Sequence, residues 1–411
     1  MRIGNGEAMP ALDPSKHSAF GGILGAIACT TIFALTIGLT YPLLSFVLER
    51  AGYSETAIGI TAAMTPIGIV VASPFYPRVI RRFGAWQVAA TCLAASGTLV
   101  LAMSLTEIYA LLLVLRFLLG IVDVGVYIVS EAWINQLADP KTRGRTVGLY
   151  ATALAAGFGL GPLLLSVTGS EGFLPFAIGA GACYLAIFAV LAIRHATPGF
   201  SDMKETSSWS FIRLAPALLV AIIAYAFWEA SMLSLFPVYG LESGLEARFI
   251  SIALSVSILG NTFLQIPLGW VADLTSRRGT MIFCACMGVL GVMALPHVVH
   301  SPALLLPTLF IWGAVAGGLY TMAMTELGDR FEGADLVAGN AAFAIAFGFG
   351  GIVGGPLTGV AMEFVGRDGF SWVLASAFAF TAIFAFWRRK TSDGCCSRGD
   401  QIRTRSQRHL F

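Results

Sequence analysis

The sequence predicts an all-α membrane protein with twelve transmembrane helices arranged as two pseudo-symmetric six-helix bundles. Three observations carry this. Of 411 residues, 57% are apolar and only 12% are Asp, Glu, Lys or Arg, about half the charged share of a soluble domain, so most of the surface cannot face water. The apolar residues fall in continuous runs, such as Ala110–Leu115 and most of Trp372–Trp387, instead of the short alternating segments of an outer-membrane barrel. Finally, local patterns recur at an offset of about 194 residues, the mark of a duplicated unit.

Each span follows from its apolar run and the polar punctuation around it. A polar tail, residues 1–19, precedes an apolar run from Phe20 to Val47, too long for a signal-peptide core and therefore an uncleaved first span. Spans at 57–77 and 85–105 flank Arg78, Arg81 and Arg82; spans at 108–136 and 147–168 flank Lys141, Arg143 and Arg145; a sixth follows at 172–193. The polar segment 194–213 then divides the chain into bundles at 20–193 and 214–388. The second bundle holds spans at 214–239, 249–271, 280–298, 303–326, 337–361 and 369–388, and a basic tail, 389–411, has the composition of a disordered surface segment.

This order places Arg50, Arg248 and Arg367 on the outer side and Arg116 within a span, while every other one of the 25 basic residues falls on the inner side. Positive loops stay in the cytoplasm, so both termini are expected there. The balance of 25 basic and 23 acidic residues gives no reason to expect nucleic acid. Cys29, Cys92, Cys183, Cys284 and Cys286 lie in spans and Cys395 and Cys396 in the tail, without disulfide or metal-ligand spacing. No metal or cofactor is expected. His297 and His300 read as loop residues, and Glu326 and Glu363 as solvated carboxylates at span ends.

The repeats pair Tyr41-Pro42 with Phe236-Pro237, Gly125-Val-Tyr127 with Gly318-Leu-Tyr320, and Gly157-x3-Gly161-Pro162 with Gly351-x3-Gly355-Pro356. Glycines four apart let two backbones approach within a bilayer, and proline bends a helix by removing one hydrogen bond. Such bends suit either a rocking interface or static close packing.

On these residues the chain resembles the major facilitator superfamily of secondary transporters over about residues 20–388. Span five reads Gly148-x8-Gly157-x3-Gly161-Pro162, similar to the signature of that family's proton-coupled antiporters, with Leu165 and Ser166 in place of its trailing glycines. Span four reads Arg116-x3-Gly120-x4-Gly125, and the following loop Asp139-Pro-Lys-Thr-Arg143-Gly144-Arg145 matches the usual basic turn. Gly269-Trp-Val-Ala-Asp273-x3-Arg277-Arg278-Gly279 resembles the loop motif after span eight. Its counterpart after span two has Ser73 and Pro77 where Gly and Asp are usual. The resemblance implies that Asp273, Arg277 and Arg278 help latch the halves together, and that spans one, four, seven and ten surround a central cavity.

Ionisable groups inside hydrocarbon mark pathways or pair with one another. Arg116, Asp123 and Glu131 on span four share a sector of roughly 80° with Gly120 and Tyr127; such a stripe must turn away from lipid, and in the resembled fold it points into the cavity. Glu229 on span seven follows Tyr225 and Trp228. Arg116 and Glu229 could meet across the cavity, so Asp123 or Glu229 is the expected proton carrier, with Arg116 holding the deprotonated carboxylate. A static buried ion pair is the alternative. Glu131 could be a solvated gate residue. Asn261 and Gln265 share one face of span eight and either contact solute or bond neighbouring helices. Trp312 and Tyr320 form an aromatic strip on span ten that Tyr127, Tyr225 and Trp228 could oppose, a wall for a planar or amphipathic solute.

The expected function is alternating-access transport of a small organic solute across a bacterial inner membrane by a monomer, powered by protons. Efflux, or uptake of a planar aromatic, vitamin-like nutrient, both fit. A non-transporting sensor would need an appendage that neither tail supplies, and a membrane enzyme would need clustered His, Cys or Asp.

Overall fold

A computed structural model describes residues 14–106, 108–137, 143–192, 194, 215–331 and 333–407. The tail before residue 14, most of the basic turn at 139–145 and nearly all of the central segment 194–213 lie outside the described residues. Twelve helices are long and apolar enough to cross a bilayer: Gly21–Arg50, Glu55–Phe83, Ala85–Met103, Tyr109–Ile134, Arg145–Thr168 and Leu174–Leu191, then Pro216–Glu242, Ala247–Leu274, Arg277–Val298, Pro302–Arg330, Ala342–Val365 and Gly369–Arg388. They are spans one to twelve. No strand occurs among the described residues.

Proline shapes two spans. Span two changes to a 3-10 turn at Ser73–Phe75 and resumes as Tyr76–Phe83, because Pro74 and Pro77 lack the N–H that would continue the ladder. It ends at Gly84, whose φ of 90° reverses the chain into span three. Span eight breaks at Leu264 between Ala247–Phe263 and Gln265–Leu274, where Pro267 cannot donate to the Phe263 carbonyl. The helix of span twelve continues to Gln407, so the basic tail has helical backbone where its composition suggests none; extending an existing helix avoids the cost of nucleating one.

Odd spans run away from the face where the chain starts and even spans return, so one face carries the helix ends nearest both termini. That face is the terminal side and its opposite the distal side. Within the first half, span one packs on spans four and five, and span three on spans four and six; spans seven, eight, nine and ten repeat this around span eleven and span twelve. The halves meet where span two packs on span eleven, span five on span eight and span one on span seven.

Close backbone approach holds the distal part of that seam. A Cβ on Gly59 would stand 2.3 Å from the Gly355 carbonyl oxygen, and one on Gly359 would stand 2.3 Å from that of Glu55. Across the other pair, Ser255 Oγ donates to the Gly159 carbonyl at 2.9 Å. These contacts close the distal side. Towards the terminal side Tyr320 and Glu131 are exposed.

Candidate functional site

A cavity of about 140 Å³ lies between span five of one half and spans seven and eight of the other. Small-molecule sites are usually about 300–1,000 Å³, so a solute of that size needs the walls to move. Phe158 and Leu154 form the span-five wall; Tyr225, Trp228, Glu229 and Met232 face them from span seven, with Ser257 and Asn261 on span eight. Glu229 stands at the midpoint of its helix, Pro216–Glu242, half-buried.

A directed row of hydrogen bonds ends on that carboxylate. Thr321 Oγ1 donates to Gln265 Oε1 at 2.5 Å, Gln265 Nε2 to Asn261 Oδ1 at 2.8 Å, Asn261 Nδ2 to the Tyr225 hydroxyl at 3.2 Å, and Tyr225 to Glu229 Oε1 at 3.1 Å. The logic is forced from one end. Asn261 spends its oxygen on Gln265 and turns its amide hydrogens to Tyr225, whose single proton then goes to Glu229. Interhelical bonding and cavity lining are thus both true of Asn261. Gln265 sits one turn further towards the terminal side.

Gly317 on span ten makes room for this row. A Cβ there would stand 1.6 Å from Asn261 Oδ1 and 2.6 Å from Gln265 Nε2. Gly317→Ala is expected to push both amides out of register and lower transport about tenfold, since overpacking costs about 1–3 kcal/mol. Transport by G317A equal to that of the parent in vesicles would show that the row does not matter.

The aromatic residues divide into two layers. Tyr225 and Trp228 face the cavity, their ring centroids 6.0 Å apart, and Tyr320 approaches Tyr225 at 5.4 Å. Trp312 is buried behind Trp228, edge-on at 5.8 Å, so it supports the wall and does not form it. Tyr127 packs on Phe33 of span one at 4.9 Å. Glu131 is exposed on the terminal side of Tyr127.

The span-four stripe does not enter the cavity as one unit. Asp123 is 1% exposed and accepts from Ser96 Oγ of span three at 2.7 Å; Cys183 of span six lies beside Ser96, and Asp123 Oδ2 has no hydrogen-bond partner. It lies inside the first bundle. Arg116 is equally buried, donates to Thr40 Oγ1 at 2.9 Å and stacks its guanidinium 4.0 Å from the centre of the Tyr41 ring. No carboxylate is ion-paired with Arg116 among the described residues, so neither Asp123 nor Glu229 is its direct partner. Tyr41 stands instead between Arg116 and the cavity, clustered with Leu233, Phe158 and Ile258. The rule that charge avoids lipid is met equally by a bundle's own core, and four neighbouring helices draw the stripe in different directions.

The motif residues divide likewise. Gly157 and Gly161 press on the backbone of span one, with Pro162 inside the helix, and Gly120 presses on Thr65 of span two; these contacts lie within the first half. Gly355 and Pro356 face Gly59 across the halves, and Gly351 faces Pro66. The packing equivalents of Gly157 and Gly161 are Gly350 and Gly354 of span eleven, which press on the backbone of span seven, one residue away from the sequence match. A Cβ on Gly148 or Gly269 would meet nothing within 4 Å.

The implied latch is also turned inwards on its own half. Arg277 bonds Asp273 at 3.8 Å, Asp329 at 2.5 Å and the Thr325 carbonyl at 2.9 Å, bracing spans eight, nine and ten; Arg278 follows it at the start of span nine. Glu326 is buried and paired with Arg330, so it is not a solvated carboxylate, whereas Glu363 is exposed. Phe158, Met232, Tyr41, Gly317 and Thr321 were not anticipated as site residues. Phe158 lies inside the span-five glycine motif and Tyr41 inside the repeated Tyr-Pro pair, the signals that could have flagged them.

A two-bundle helical fold with a largely apolar cavity at the seam, holding one carboxyl group, is the architecture of a membrane carrier. The sequence profile of the Major Facilitator Superfamily matches residues 26–249 and 235–405, and the chain belongs to that family: it is an MFS-type transporter. It is 26% identical over 348 residues to the uncharacterized MFS-type transporter YfkF of Bacillus subtilis (strain 168), covering 81% of this chain and 86% of the relative. Its fold is similar to that of the nucleoside transporter NupG, with a TM-score of 0.72 at 13% identity over 90% of this chain and 98% of the other. It is similar too to a bacterial homologue of the human lysosomal transporter Spinster in an inward-facing, occupied conformation, with a TM-score of 0.71 at 14% identity over 93% and 98%.

Proposed function

We propose that this transporter moves a small organic solute across the bacterial inner membrane by alternating access, coupled to protons, with Glu229 as the carboxyl group that takes up and releases the proton. One observation carries the reading: Glu229 lies at mid-depth in a cavity at the seam, at the acceptor end of a hydrogen-bond row. A carboxylate in that position exchanges protons with whichever side the cavity faces, and the rocking of 20–193 against 214–388 changes that side. The terminal side is the cytoplasm, from the basic residues of its loops. The aromatic surfaces of Tyr225 and Trp228, with Phe158 opposite, suit a solute with a flat apolar part.

The test is to screen the purified protein by thermal shift against metabolites and drugs, then load stabilising compounds into vesicles with an imposed pH gradient. Accumulation should collapse when a protonophore dissipates the gradient. Persistence of accumulation without the gradient would refute proton coupling, and running vesicles of both orientations tells export from import.

Asp123 has a structural part in this reading. Asp123→Asn keeps an oxygen for Ser96, so gradient-driven transport should stay within about threefold of the parent, while an amide hydrogen left without a partner lowers stability by about 1–3 kcal/mol. Loss of gradient dependence in D123N would return the proton to span four.

A further inference from the structure

The row that ends on Glu229 has one direction, and a single backbone atom sets it. Gln265 Nε2 donates to Asn261 Oδ1 at 2.8 Å and to the Ala314 carbonyl oxygen of span ten at 3.4 Å. A carbonyl only accepts, so Gln265 turns its nitrogen to Ala314 and its oxygen to Thr321, whose hydroxyl could serve as either partner. With that nitrogen fixed, Asn261 must offer its oxygen to Gln265 and its nitrogen to Tyr225, and the Tyr225 proton is left for Glu229. Reversing the row means flipping both amides. Gln265 Oε1 would then stand against the Ala314 carbonyl, two acceptors with no hydrogen between them.

This direction bears on the proton of Glu229. A hydrogen bond received by an ionised carboxylate is roughly twice as strong as one received by a neutral group, so a Tyr225 that can only donate favours the ionised form. A Tyr225 free to turn could accept from the protonated acid instead. We propose that Gln265, anchored on the Ala314 carbonyl, is a positioning residue that holds Tyr225 as a donor and thereby loosens the proton on Glu229. This role rests on Glu229 as the proton carrier and adds what sets its affinity.

The remaining surroundings of Glu229 are simple. Phe158 and Leu154 face it from span five. Span one presents Tyr41, with Arg116 of span four behind it, and span ten presents Tyr320 against Tyr225. Asp123 lies within the first bundle and Glu131 is exposed towards the terminal side. Spans one, two, five, eight, ten, eleven and twelve carry Asp, Glu, Lys and Arg only towards their ends. Replacing Gln265 therefore leaves the charges around Glu229 as they are.

The test titrates Glu229 directly. In purified protein reconstituted in lipid, the infrared C=O band of a protonated carboxyl group that is missing from E229Q reports the proton on Glu229 and its midpoint pH. Gln265→Leu frees Asn261 to flip, and should tighten proton binding about tenfold, moving the midpoint up by about one pH unit. Asn261→Leu, which frees Tyr225, should do the same and replaces Q265L if that protein does not fold. Thr321→Val keeps the Ala314 anchor, and its midpoint should correspond to a change of less than about twofold; a merely structural row would respond to both ends alike. A midpoint unchanged in folded Q265L or N261L, or shifted as far by T321V, overturns the role of Gln265 and leaves Glu229 as the proton carrier. A parent protein with no titrating band specific to Glu229 overturns both.

Discussion

Glu229→Gln is expected to abolish proton-driven accumulation, lowering it about 100-fold or more, while solute counterflow stays within about threefold of the parent. Glutamine is nearly isosteric and its oxygen still accepts from Tyr225, so the row from Thr321 through Gln265 and Asn261 keeps its direction. What the amide cannot do is carry a proton across. Counterflow needs the halves to rock with solute bound but no net proton movement, so it isolates the role of the carboxyl group from folding and binding. The comparison is made in vesicles with and without a protonophore. An E229Q protein that accumulates solute as the parent does, and still loses it to the protonophore, would remove Glu229 from the coupling.

Gly59→Ala should shift the conformational balance towards distal opening by about 5- to 150-fold. A methyl at that position meets the Gly355 carbonyl oxygen at 2.3 Å, its carbon at 2.6 Å and Pro356 Cα at 2.9 Å. All three are backbone atoms, with no flexible side chain to give way, so spans two and eleven must move apart. Overpacking of this kind costs about 1–3 kcal/mol, and because the contact exists only while the distal side is closed, the whole penalty falls on one conformer, about 5–150-fold in its population. A cysteine introduced at Ser257, which lines the cavity, should then react faster with a membrane-impermeant maleimide added on the distal side. Gly148→Ala is the matched control: it belongs to the same family of glycine motifs but faces open space, and substitution there should change the balance by less than about 0.5 kcal/mol. Equal reactivity in G59A and the parent would mean that the glycine seam does not set the balance.

These two substitutions separate readings that the glycine pattern leaves together. Motion and tight packing both call for small residues, yet Gly59, Gly355 and Gly359 meet backbone across the seam between halves, whereas Gly157 and Gly161 fasten span five to span one within a half. The repeat therefore has two uses. The copy in span eleven packs both ways, through Gly350 and Gly354 on span seven and through Gly351 and Gly355 on span two.

The amino-acid sequence by itself determined twelve spans, their duplication and the family, because water and hydrocarbon differ so much in polarity that length and hydropathy are decisive on their own; it put forward Asp123 and Glu229 together as proton carriers. It could not tell a shared cavity from the core of a single bundle. Both exclude lipid, so Asp123, Arg116 and Trp312 satisfied the pattern equally well in either place. Only tertiary packing decided that Ser96 of span three holds Asp123, that Tyr41 covers Arg116 and that Trp312 stands behind Trp228. The same holds for Glu326: a carboxylate at a span end reads as solvated until packing buries it beside Arg330.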